Sequence, residues 1–189
     1  LGEFVDYALH REGVEMSGPM FFVGAAMHLG AKSSLPPSRL MELLKDSIRT
    51  EYDADRKNRC GILAAALGQW KDPSVIPELE AIAAEPAQGA SHEVLHALGL
   101  IGGKEAMISL GRLLENSSDR SKSYPVAQAM KRVKEPEAQD VLWQLAVQNR
   151  ANPSVSERLW GVLAERPENV GRVLDYARGS QVPLGDLRA

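Results

Sequence analysis

Ala66-Leu67-Gly68-Gln69-Trp70-Lys71-Asp72-Pro73 is followed thirty-one residues later by Ala97-Leu98-Gly99-Leu100-Ile101-Gly102-Gly103-Lys104. Aligned on Leu67-Gly68 and Leu98-Gly99, the register continues at spacings of 32 and 32 to Met130-Lys131 and Val162-Leu163. A fixed period near thirty marks a repeat architecture, in which each unit is one supersecondary element that buries its apolar face only against its neighbours.

Each unit opens on a helix-start signal. Lys71-Asp72-Pro73-Ser74, Lys134-Glu135-Pro136-Glu137, Ala151-Asn152-Pro153-Ser154 and Glu165-Arg166-Pro167-Glu168 place Pro in the first turn, where its missing N–H costs nothing and acidic neighbours suit the helix dipole. Lys104-Glu105 after Gly102-Gly103 serves the same end. From these starts Val75, Leu79, Ile82 and Ala83 recur as Ala106, Leu110, Leu113 and Leu114, then as Ala138, Leu142, Leu145 and Ala146. That spacing is helical and defines a first, outer helix. The second helix of each unit is smaller in side chain, with Ala-Leu-Gly at 66–68 and 97–99, and Gly68 and Gly99 are expected to stop it as left-handed caps. Upstream, 37–50 reads as another first helix through Leu40, Leu43, Leu44 and Ile48, with 60–69 as its partner. A looser pair over 3–10 and 19–30 precedes them, and the connection through 52–57 absorbs an insertion. Residues 1–178 read as a single repeat domain and 179–189, polar with Gly and Pro, as a tail. Nothing alternates with period two, so no sheet is expected.

These repeats resemble the HEAT-repeat family, in particular its short bacterial and phycobilisome-lyase type; the match rests on the two quoted stretches and on Glu105-Ala106 after the second. The resemblance is clear over 57–178 and weaker over 3–50. It implies an all-α, right-handed α-α superhelix of about five helix pairs, with the second helices lining the concave side. It leaves function open, because scaffolds, adaptors, cofactor lyases, a hydroxylase and DNA-repair proteins share the repeat.

Composition narrows the choice. With 44% apolar and 5% aromatic residues the chain can bury a core of Leu, Ala, Val and Ile. Lys and Arg number 22 against 25 Asp and Glu, and they do not gather in a block, so nucleic acid is not an expected partner. One cysteine, Cys60, excludes an intrachain disulfide and a Cys-rich zinc knuckle. The longest apolar stretch, 20–31, is broken by His28 and falls short of the ~20 residues that cross a bilayer. Cytoplasm is the expected compartment, with export after signal removal left open.

His92-Glu93-Val94-Leu95-His96 is the one local pattern that carries chemistry. Val94, Leu95, Ala97 and Leu98 take the packed positions of the second helix, leaving His92, Glu93 and His96 to the variable face. Histidines four apart on a helix stand one above the other and can grip one metal ion, and His-Glu-x-x-His resembles the zinc-peptidase signature with Glu93 as general base. In the aminopeptidases of the gluzincin group a third, Glu ligand follows the second His with eighteen residues between them; that position here is Glu115. The third histidine of metzincins is absent, since Gly102 holds its place. The repeat-built deoxyhypusine hydroxylases hold di-iron through His-Glu pairs in several repeats, whereas here the equivalent pairs are Gly61-Ile62, Tyr124-Pro125 and Ser156-Glu157.

The variable positions of the second helices trace a mixed polar and aromatic strip: His92, Glu93 and His96, then Tyr124 and Gln128, then Glu157 and Trp160. Such a strip suits a protein or peptide partner better than phosphate or lipid. Trp70 and Trp143 read as packing residues, and Cys60 as a small buried side chain beside Lys57 and Arg59. The expected function is a non-catalytic adaptor or assembly scaffold with no cofactor. The alternatives are a zinc-dependent hydrolase on His92, His96 and Glu115, and a cofactor or chromophore lyase.

Overall fold

The structure, a computed structural model, describes residues 33–49, 54–85, 91–117 and 120–180. The expected helices over 3–10 and 19–30 lie outside them. Among the described residues are nine α-helices, one 3-10 turn and no strand. The chain divides into two compact units, Leu1–Ile101 and Gly102–Ala189, a boundary that the sequence reading did not draw.

The first unit contains α1 (Pro37–Arg49), α2 (Ala54–Trp70), a 3-10 turn (Pro73–Val75), α3 (Ile76–Ala84) and α4 (Ser91–Ile101). Helix α2 packs on α1 and α4, and α3 packs on α4. Its core is Leu40, Leu44, Leu63, Leu67, Leu79, Val94 and Leu98. The second unit contains α5 (Gly103–Glu115), α6 (Arg120–Met130), α7 (Pro136–Gln148), α8 (Pro153–Ala164) and α9 (Pro167–Ser180). Here α5 packs on α6 and α7, while α8 packs on α6, α7 and α9. Met107, Leu110, Leu114, Met130, Leu142 and Trp160 are buried at its centre. Each such side chain contributes about 1.5–3 kcal/mol by leaving water.

The first-helix register holds. Val75, Leu79 and Ile82, then Ala106, Leu110, Leu113 and Leu114, then Ala138, Leu142 and Ala146 are buried. In α9 the same places fall to Asn169, Val173 and Ala177, also buried. Polar contacts repeat this period. Lys45 pairs with Glu78, Asn149 Nδ2 donates to Glu115 Oε1 at 2.7 Å, Lys131 pairs with Glu165, and Arg172 pairs with Asp140 at 3.3 Å. Each joins side chains about one repeat apart, as stacking of like upon like requires.

The helix ends differ from the sequence reading. Gly68 and Gly99 are not caps: α2 runs two residues past the first and α4 two past the second. The left-handed positions after these helices belong to Lys71 (φ 53) and Gly102 (φ 72). Gly68 is there for close approach, since a Cβ on it would stand 2.7 Å from Leu100 Cβ on α4. Two glycines in a row, Gly102 and Gly103 (φ 76), open α5, and the Glu135 carboxylate fills the space beside Gly102. Its Oε2 accepts the N–H of Gly103 and that of Lys134, each at 3.1 Å, so one acid satisfies a free amide at the start of α5 and the amide of the turn before α7. The Asp72 carboxyl accepts the Ser74 N–H at 2.9 Å, and this bond holds it below the usual carboxylate range. At the other end of the second unit, Arg166 is buried and its Nη2 donates to Met130 O at 2.9 Å and Val133 O at 2.7 Å, closing the end of α6. Two further boundaries move: α2 begins at Ala54, six residues before the expected start, and Gly179 and Ser180 complete α9 rather than opening a tail.

Candidate functional site: the second-helix faces of the two units

In the first unit α4 carries His92, Glu93 and His96. Val94, Leu95, Ala97 and Leu98 are buried as their spacing requires, which turns His92 to solvent and leaves Glu93 and His96 half-buried at the edge of the α2 contact. Gly61 on α2 makes room there, its missing Cβ being 3.5 Å from Glu93 Cγ. Glu93 Oε2 is buried and accepts no hydrogen bond among the described residues. One residue from Gly61 lies Cys60, also buried. Burial pushes its thiol up; Arg56 opposes this by charge and hydrogen bond, and Glu93 adds to it. The cation that acts most on this thiol is thus Arg56, one turn back on α2, which the sequence reading passed over in favour of Lys57 and Arg59. A buried thiol whose ionisation is disfavoured in this way suits packing better than nucleophilic attack.

The third ligand read from sequence, Glu115, belongs to the second unit, where it closes α5, is exposed and accepts the Asn149 amide bond. Among the described residues no group of three or more His, Cys, Asp and Glu side chains is arranged to hold a metal ion.

In the second unit the face is formed by α6 and α8. Tyr124 is 55% exposed, and the Arg158 guanidinium of α8 stands 6.0 Å from its ring centroid, within cation–π range. Gln128, one turn along α6, and Glu157, beside Arg158, are half-buried. Arg158 is the member of this group that the sequence reading missed. The signal was available, because Arg158 follows Glu157 on a helix whose start and register were already assigned.

Trp160 must be removed from the strip. It is 2% exposed, and its ring stacks on Tyr176 of α9 (centroids 5.0 Å apart, planes 23° apart). Trp143 of α7 meets both rings edge-on, at 5.5 Å and 5.6 Å, and Arg172 lies 4.2 Å from the Trp143 ring centroid. A ring of this size in the second half of α8 would lie bare on a lone helix; α7 and α9 close over it from two sides. Trp143 is a packing residue as expected, whereas Trp70 is 39% exposed at the end of α2.

Among the described residues, no helix is long and apolar enough to cross a membrane. Compared with known protein families, with curated proteins and with solved structures, the chain finds no match.

Proposed function

We propose that this protein is a non-catalytic binding module of the HEAT-like kind, an adaptor or assembly scaffold. On this reading the helix pairs belong to a right-handed superhelix of about five repeats. The support for that finer fold is the ladder of contacts one repeat apart within each unit and the sequence period of 31 and 32 residues.

The observation that carries the function is Tyr124. A large aromatic side chain left more than half exposed, with an arginine against its ring and Gln128 one turn along the same helix, has the composition of an interface anchor rather than of a catalytic centre. Tyr and Arg supply wide contact area at modest ordering cost, and the Gln128 amide supplies directional hydrogen bonds to a backbone or side chains. The partner this suits is a protein segment. On the first unit, His92, Glu93 and His96 offer a separate polar patch of the same kind.

Site-specific photocrosslinking tests the proposal. A benzoylphenylalanine placed at 124 or 128 is expected to capture a discrete protein partner in cells, and one placed at the exposed positions 140 or 175 is not. Equal capture from both pairs of sites, or from 140 and 175 alone, would end the assignment of this face.

A further inference from the structure

A cleft of about 420 Å³ lies in the first unit, between α1 on one side and the 3-10 turn with the start of α3 on the other. Met41 and Val75, both buried, form its floor. The repeat explains why it is open. In the second unit, the residue before the opening proline of a first helix reaches back toward the start of the first helix before it. Glu135, before Pro136, fills the space beside Gly102 and accepts the Gly103 N–H at the start of α5. Arg166, before Pro167, is buried on the carbonyls of Met130 and Val133, just ahead of α7. Asp72, before Pro73, holds the same place in the first unit and lines the cleft together with Pro37 at the start of α1. Its carboxylate is short and turns forward onto the Ser74 N–H at 2.9 Å instead of reaching back.

We propose that this cleft receives a basic side chain, lysine or arginine, from a segment of a partner protein. Three carboxylates line it, Glu42, Asp72 and Glu78, against the single ammonium of Lys45. Lys45 pairs with Glu78 at one end, which leaves the unbalanced charge toward the start of α1, at Glu42 and Asp72. Glu42 also meets Arg39 at 2.8 Å, but both side chains are largely in water and the contact gives way at little cost. A long side chain with an apolar stem and a cationic head matches both parts of the cleft. Its methylenes cover Met41 and Val75 while the head stays at the carboxylates, near water. A purely apolar group would strip those carboxylates of water with nothing in return, and an acidic one would be repelled. This place lies on the first unit and does not depend on the Tyr124 face.

Nitrogen–proton correlation spectra of the isotope-labelled full chain, titrated with acetyl-Gly-Lys-Gly-amide at low salt, read the cleft directly. Shifts are expected at the amides of Met41, Glu42, Val75 and Glu78, with a Kd of about 1–10 mM, as suits one half-exposed charge contact. The same peptide with arginine in place of lysine should bind alike, and those with norleucine or glutamate should not. Glu42→Gln combined with Asp72→Asn should weaken binding about tenfold. Asparagine keeps an acceptor for the Ser74 N–H, so the thermal melt of this variant should be unchanged. Raising salt from about 20 to 200 mM should weaken the wild-type interaction as well. Absence of shifts at these amides overturns the proposal, and so does binding indifferent to the double substitution. Equal binding of the norleucine peptide would make the cleft merely apolar, and butylamine bound as tightly as the lysine peptide would assign it to a free amine instead of a protein segment.

Discussion

At the scale of single residues, the glycines separate into kinds that behave differently on substitution. Gly68→Ala pushes a methyl against Leu100 and is expected to lower stability by about 1–3 kcal/mol through overpacking. Gly102→Ala adds backbone strain at φ 72 to collision with the Glu135 carboxylate and should cost at least as much. Urea melts of the two variants check both values. Cys60 gives a test by reactivity. Because burial raises its thiol, iodoacetamide near pH 8 should label it slowly in the native protein and fully in denaturant, as mass spectrometry would show. The sign for stability follows. The unfolded thiol ionises before the folded one, so this contribution is intact below the ordinary thiol pKa of about 8.5 and is lost as pH rises through the raised folded value. The histidine pattern at 92–96 was legible because helical spacing alone puts His92 and His96 on one face. The placement of Glu115 was not, since eighteen intervening residues give a distance along the chain and no direction. Metal analysis of untagged protein is expected to find no stoichiometric zinc; zinc that vanished in His92→Ala with His96→Ala would return the hydrolase reading to first place.

Whole elements depend on a few end residues. Arg166 adds a donor to two carbonyls where α6 stops, Met130 O and Val133 O, which also accept the Val133 N–H and Gln139 Nε2, so Arg166→Met removes one of two bonds at each. A loss of about 1–3 kcal/mol is expected in thermal or urea unfolding, with Arg166→Lys recovering part of it, because both bonds come from the single Nη2 and one ammonium carries enough donors for both. Trp160→Ala should cost about 3–5 kcal/mol and release the emission of Trp143 from its packed environment. The first helices were readable from sequence to within a residue or two because Pro at the start and apolar residues at helical spacing agree. Their partners were less so. The start of α2 at Ala54 hid behind the charged run Asp55-Arg56-Lys57-Asn58-Arg59, which has no apolar stripe to betray a helix. Trp160 was misplaced for a related reason: its register position matches His96 and Gln128, which are half-buried, but only here does a following first helix bring up Tyr176 to cover it.

For the molecule as a whole, 22 Lys and Arg stand against 25 Asp and Glu without a basic block, and among the described residues Lys131 lies on Glu165, Lys45 on Glu78 and Arg172 on Asp140. A chain with no excess of basic residues offers little field to follow a phosphate backbone, so no complex with duplex or single-stranded DNA is expected in mobility-shift titrations at 50 mM salt or above. The same contacts have a consequence for the protein's birth. The cross-element bonds of the second unit span 32 to 36 residues. A helix leaving the ribosome therefore awaits its cover only until one more repeat has been synthesised, about 2–7 s at ordinary elongation rates. Each newborn segment is sheltered by the next in turn, and the growing chain need never present more than one repeat's worth of bare apolar surface to the cell.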